Sequence, residues 1–135
     1  FPTEEKILAS PESKLKESGL SFNKRKTIIE IARHVQKGEL ENRQDFLMMN
    51  DSQIIEKLTK IKGIGEWTAQ MLMIFNLGKL DVFPAGDFAL RKNYSLFKSI
   101  ASPLTMRELS KISEEWKPFR SIAAWYLWRY RNILN

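Results

Sequence analysis

At 135 residues, 43% of them apolar, the chain has enough material for one ordinary domain core. It contains no cysteine, which excludes disulfides, thiolate zinc sites, iron–sulfur clusters and a cysteine nucleophile from it, and its one histidine, His34, is too few for a histidine-built metal site. The net charge of +6 is uneven: residues 1–90 balance 13 basic against 13 acidic side chains, whereas residues 91–135 set 9 basic ones against 3 acidic, an asymmetry that suits a polyanionic partner.

The elements read as helices, each with its own start. Thr3, followed by Glu4 and Glu5, opens a short helix, and Ser10 with Pro11 at the first helical position opens a second. Ser21 begins a longer one in which Ile28, Ile31, Ala32 and Val35 recur at helical spacing until Gly38. Asn50-Asp51-Ser52 starts another, carrying Ile54, Ile55 and Leu58. After the interruption Lys62-Gly63-Ile64-Gly65, the run Trp67, Met71, Ile74, Phe75 forms a further helical face that Gly78 closes.

Residues 79–86 read as an extended connection, because Pro84 and Gly86 both resist helix. Asp87 then heads a helix carrying Leu90. Thr105 and Glu108 are spaced as a capping box, flanked by Leu104 and Leu109 as a hydrophobic staple. Pro118 is placed in the first turn of a last helix bearing Ile122, Trp125, Trp128 and Ile133. No strand alternation, internal repeat or low-complexity tract is present, so the expected fold is all-α, one compact helical domain over 1–135 with a hairpin at 52–77, a loop at 79–91 and C-terminal helices at 105–134. With no long apolar run and no basic-then-apolar leader, the chain reads as soluble and intracellular, with no membrane partner.

The hairpin has chemistry of its own. Two helices joined through Gly63-Ile64-Gly65 need an abrupt reversal, which glycine permits at little steric cost. Without side chains in the way, amides at the start of the following helix can reach a phosphate with the help of the positive helix end. The carbonyls of Thr59, Ile61 and Gly63 face the same turn and could hold a monovalent cation, Na+ or K+. Taken alone, a bare GxG is a weak signal that an ordinary helix–helix turn explains better.

Three stretches together carry a resemblance: Leu58-Thr-Lys-Ile-Lys-Gly-Ile-Gly-Glu-Trp-Thr-Ala-Gln-Met71, then Asp81-Val-Phe-Pro-Ala-Gly-Asp87-Phe-Ala-Leu-Arg91, then Trp116-Lys-Pro-Phe-Arg-Ser-Ile-Ala-Ala-Trp-Tyr-Leu-Trp128. In this order and spacing they resemble the helix-hairpin-helix (HhH-GPD) DNA glycosylases, and within them the 3-methyladenine DNA glycosylase II branch. The likeness covers nearly the whole chain and is weakest over 1–20. It implies the C-terminal two-thirds of that fold and an enzyme of base-excision repair, which flips an alkylated purine from double-stranded DNA and hydrolyses its N-glycosidic bond. Glycosylases of this superfamily that also act as lyases carry a lysine two residues after the second hairpin glycine. Here that place is Trp67, which implies a monofunctional enzyme that uses water. No cofactor is required and no iron–sulfur cluster is expected. In the family, further helices precede the hairpin domain and complete one wall of the pocket, so this chain, beginning at Phe1-Pro-Thr, is expected to be a truncated piece or to take that wall from a second chain.

The resemblance also assigns roles. Asp87 becomes the catalytic carboxylate, which stabilises positive charge developing on the deoxyribose or orients water. Read locally, it is a plain helix N-cap. Trp67, Met71 and Trp128 become the base pocket, indoles being suited to a cationic, electron-poor purine, and Met71 makes that pocket more adaptable or weaker. Read locally, tryptophans at helical spacing belong to a core, where Trp116 and Trp125 are left. The backbone contacts fall to the amides of Gly63 and Gly65 and to Lys60, Lys62, Arg91, Lys92 and Arg120, although a solvated charged face accounts for each lysine taken singly. His34, with no partner evident in the sequence, is structural or exposed. Two other readings stay open: a catalytically incomplete helix-hairpin-helix module that binds DNA, and a helical protein-interaction domain. The expected location is the cytoplasm, with the nucleoid, in a bacterium or archaeon, and the nucleus in a eukaryote.

Overall fold

The computed structural model describes residues 2–40 and 42–133, with side chains through residue 130. The Arg131 charge and the Ile133 contribution to the last helical face lie outside the described side chains, and position 134, the expected end of that helix, lies outside the described residues. Among the described residues there are helices and no strand. The contacts divide the chain into two compact units, residues 1–69 and 70–135, where the sequence reading had placed one domain.

The first unit holds α1 (Glu4–Ala9), α2 (Glu12–Glu17), α3 (Phe22–Gln36), α4 (Arg43–Met48), α5 (Asp51–Thr59) and the opening of α6 (Glu66–Phe75). Its helix starts follow from side-chain oxygens. Ser21 accepts from the Lys24 amide, and Asn50 and Gln53 form a reciprocal capping box at the head of α5. α4, which the sequence reading did not name, is capped by Asn42, whose side chain accepts from the amides of Gln44 and Asp45. Ser10 does not start α2: its hydroxyl donates back to the Lys6 carbonyl at 2.6 Å, and Pro11 takes the cap position instead. Ala32, Phe46, Ile54, Leu58 and Ile61 are buried. α1 and α2 both pack on α3.

The second unit holds the rest of α6, then α7 (Phe88–Phe97), α8 (Met106–Ser113), a 3₁₀ turn (Glu114–Trp116) and α9 (Arg120–Ile133). Pro118 therefore precedes the last helix by two residues, so the expected boundary moves. Leu90, Tyr94, Leu109 and Ala124 form the core cluster, with Phe83, Leu104, Ile112, Trp116, Leu127 and Trp128 against it. The Thr105–Glu108 box is reciprocal, and Leu104 and Leu109 of the staple both join this cluster. Trp125 does not join it; 42% exposed, it lies under the Arg129 guanidinium at 4.6 Å. α7 packs on α9, and the buried Asn93 fixes the pair by donating its side-chain amide to the Leu127 carbonyl at 2.8 Å.

Loop 79–86 owes its path to the first turn of α9. The Ser121 hydroxyl donates to the Lys79 carbonyl at 2.7 Å and accepts from the Val82 amide at 2.9 Å, while the Ser121 amide donates to the Leu80 carbonyl. Beside it the Arg120 guanidinium donates to both carboxylate oxygens of Asp81 at 2.7 and 3.0 Å, to the Asp81 carbonyl, and to Glu114. These bonds satisfy the polar groups of an irregular segment whose Val82, Pro84 and Ala85 are buried.

Candidate active site and hairpin

The loop ends in a tight turn in which the Asp87 amide donates to the Pro84 carbonyl at 2.9 Å. That turn delivers Asp87 to the head of α7. One carboxylate oxygen accepts from the amides of Ala89 (2.7 Å) and Leu90 (3.2 Å), so the local N-cap reading of this residue is correct. The cap uses one oxygen only. The other accepts the indole N–H of Trp128 at 3.3 Å, from a residue 41 positions along the chain. A helix cap and a hydrogen bond to a residue far along the chain thus coexist in one side chain.

Trp128 is half-buried, and its ring has a neighbour that the sequence reading left out of the pocket: Phe75, at 5.8 Å between centroids and 31° between planes. Phe75 is 63% exposed despite its size, and the one signal that could have found it is its place two four-residue steps after Trp67 on α6. Met71 is half-buried in the second unit, and Trp67, in the first, is 51% exposed.

The turn of the hairpin lies in the first unit. The Ile64 amide donates to the Ile61 carbonyl at 3.0 Å across a reverse turn, and Gly63 sits within it at φ +96°, where a side chain is strained. A second constraint acts on the same residue. A Cβ on Gly63 would enter the van der Waals shell of Thr27 Oγ1 and stand 3.0 Å from Thr27 Cβ, so the turn closes against α3. Gly65 differs on both counts: its φ is not positive and a Cβ there would meet nothing within 4 Å. Its carbonyl accepts from the Ala69 amide at 3.1 Å, which makes it the residue from which α6 starts. The next amides fall in the helical first turn, which by geometry has no intrahelical acceptors.

The basic candidates separate. Lys60, Lys62 and Lys92 are exposed, Lys60 in an i,i+4 pair with Glu56 at 3.0 Å. Arg91 and Arg120 do not present free guanidinium groups. Arg91 lies over the Phe88 ring and donates to the Leu104 carbonyl, and its Nε is buried without a hydrogen-bond partner. Arg120 pairs with Asp81 and Glu114 and so ties the loop to the head of α9. His34 has a partner after all, its Nδ1 lying 2.8 Å from a Glu39 carboxylate oxygen. Among the described residues no cluster of three or more His, Cys, Asp or Glu side chains could hold a metal ion, and no helix is long and apolar enough to cross a membrane.

The Arg120–Asp81 pair gives a pH prediction. Hydrogen bonding from Arg120, followed by its charge, outweighs desolvation and lowers the Asp81 pKa below the ordinary carboxylate range. A depressed carboxylate stabilises the fold above its unfolded pKa, and that contribution disappears as pH falls through the folded value. Arg120→Gln should lower unfolding stability at pH 7 by on the order of 1 kcal/mol, the pair being partly exposed and screened by solvent. By pH 3 or below the gap to the parent should narrow. Denaturant titrations at both pH values check this, and a gap that widens in acid would contradict it.

The fold and these motifs define a helix-hairpin-helix protein. The chain belongs to the HhH-GPD superfamily of base excision DNA repair proteins, whose family profile matches residues 1–118. Its sequence is 36% identical to DNA-3-methyladenine glycosylase 1 of Schizosaccharomyces pombe over 135 residues, covering 100% of this chain and 59% of that protein. It is 35% identical to the alkylbase DNA glycosidase-like protein mag2 of the same organism, covering 96% and 61%. The structure superposes on that of the S. pombe 3-methyladenine DNA glycosylase Mag1 in complex with abasic DNA with a TM-score of 0.91 at 36% identity, covering 96% of this chain and 63% of that one. A DNA-3-methyladenine glycosidase from Bacillus halodurans gives 0.80 at 32%, covering 96% and 59%. The chain thus spans about three fifths of the length of these relatives.

Proposed function

We propose that this chain carries the catalytic and strand-holding parts of a monofunctional glycosylase that removes alkylated purines of the 3-methyladenine type from double-stranded DNA. The observation that carries this reading is the Asp87 carboxylate, braced by helix amides on one oxygen and by the Trp128 indole on the other, in a chain of this family. Alkylation on a ring nitrogen makes the purine cationic. When the N-glycosidic bond breaks, its electron pair leaves with the base, which departs neutral, and positive charge passes to the deoxyribose C1′ and ring oxygen. A carboxylate held beside that sugar stabilises the charge, and water then bonds to C1′ and loses its proton.

The face of Trp128, with Phe75 against it and Met71 in the same unit, suits an electron-poor base. Trp67 is assigned to the pocket by the resemblance alone. The hairpin turn offers amides from Gly65 onward to a backbone phosphate, supported by Lys60 and Lys62, and Lys92 of the second unit is a separate candidate for a backbone contact. The carbonyls of Thr59, Ile61 and Gly63 suit Na+ or K+, although Ile61 has one lone pair already engaged by Ile64. Such a protein works where the DNA is, in a nucleoid or a nucleus.

The test is release of methylated purines from alkylated duplex DNA by the full chain, followed chromatographically. Release that scales with chain concentration and leaves intact abasic sites supports the proposal. Binding to the duplex without release would favour the alternative, a DNA-binding module that has lost catalysis.

A further inference from the structure

Beside the hairpin, within the first unit, lies a cleft of about 580 Å³, of whose lining only Lys62 and Gly63 have been given a role above. Its walls come from one face of α3, where Asn23, Lys26, Thr27, Glu30 and Arg33 follow at helical spacing, and from Lys62 and Gly63 of the turn. Gly63 is shared between the turn and the cleft, so whatever occupies the cleft adjoins the hairpin. The volume is many times the ~30 Å³ of a water molecule, which makes it room for an extended polar ligand.

The charges of the lining are sorted. Glu30 is engaged by Arg33 at 2.5 Å, so these two largely cancel. Lys26 and Lys62 remain, both exposed, and they leave the cleft with two positive charges in excess. Lys26 is also positioned: its ammonium stands 4.2 Å from the Phe22 ring centroid, a cation–π contact that narrows the range of its long side chain. The hydroxyl of Thr27 donates to the Asn23 carbonyl at 3.0 Å and keeps lone pairs of its own. Two lysines, one on α3 and one on the turn, suit neighbouring phosphodiester groups of a nucleic-acid strand better than a single compact anion.

We infer that this cleft is a second backbone site, in which Lys26 of α3 and Lys62 of the hairpin hold phosphodiesters of the strand that the hairpin grips, extending the footprint along α3. The inference rests on the proposal that the chain binds DNA. It assigns Lys26 and Lys62 to affinity and register, with no part in breaking the glycosidic bond.

The experiment measures binding of the full chain to a fluorescent undamaged duplex by anisotropy over a range of salt concentrations. Each phosphate contact contributes about 0.9 to the slope of log affinity against log salt, so Lys26→Gln and Lys62→Gln should each reduce the slope by about one, and the pair by about two. Glu30→Gln removes the carboxylate that neutralises Arg33 and should tighten binding at low salt. Lys111→Gln, an exposed lysine of α8 outside the cleft, serves as the reference for loss of charge anywhere on the chain and should leave the slope less affected. If the parent binds with a steep slope and Lys26→Gln changes it no more than Lys111→Gln does, the second site is wrong while the hairpin reading, which already includes Lys62, stands. If the parent does not bind the duplex even at low salt, both fall together.

Discussion

Asp87→Asn should abolish most base release while leaving the fold nearly as stable as the parent. Asparagine caps helices as well as aspartate does, and its side-chain carbonyl can still accept from the amides of Ala89 and Leu90. What disappears is the negative charge. The position now filled by the second oxygen would hold an NH₂ group, a donor facing the Trp128 N–H, so the indole loses its acceptor as well. Removal of a preorganised group that stabilises transition-state charge costs about 10²–10³ in rate, and a loss of that size in single-turnover release is expected here. The unfolding free energy should fall by only about 1 kcal/mol, the cost of the lost indole bond, because the cap itself is kept. Asp87→Ala would confuse the two effects, because it also deletes the cap at about 1 kcal/mol. Trp128→Phe separates them from the other side: it keeps an aromatic face and removes the N–H, so a drop in release smaller than that of Asp87→Asn, with a shifted pH profile, would mark the indole as a positioning group. Parent-like release by Asp87→Asn would remove this residue from the catalytic role.

How much of this site could be read in the sequence depended on the range over which each signal acts. Caps act over three residues, and Ser21, Asn50 and the Thr105–Glu108 pair were visible for that reason. Gly63 was visible because a reversal between helices demands positive φ somewhere in the turn. The sequence reading missed α4, whose six residues are too few to show a helical period against its one buried side chain, Phe46. Partners far apart in sequence were beyond it altogether. Arg120 looked like a DNA contact because its charge is local and its partner Asp81 is 39 residues away. Ser121, which ties the loop to α9, carries no pattern of its own, and the Trp128–Asp87 bond spans 41 residues. The roles of Asp87 and Trp128 came from the resemblance, and the packing of the second unit adds the physical link between them.

The two hairpin glycines should respond to the same substitution through different readouts, Gly63 in stability and Gly65 in DNA affinity. Gly63→Ala forces a Cβ into a left-handed backbone and against Thr27, and each of these faults costs about 1–3 kcal/mol, so a drop of several kcal/mol in unfolding stability is expected. Trimming the obstacle tests the cause. Thr27→Ala in the Gly63→Ala background removes the hydroxyl and the methyl that a new Cβ would meet but leaves the backbone strain, so part of the loss should return and the double-mutant cycle should show coupling. Gly65→Ala meets open space at an ordinary φ. Alanine is a poorer helix start than glycine, yet it also restricts the unfolded chain by about 0.4–1 kcal/mol, and the two terms oppose each other, so stability should hardly move. DNA affinity should fall all the same, because the added methyl occupies the approach to the first amides of α6. Paired denaturation and anisotropy measurements read both quantities on one sample. A Gly65→Ala chain that keeps its full affinity would mean that no phosphate comes close to that turn, and the helix-start account of strand binding would have to be given up.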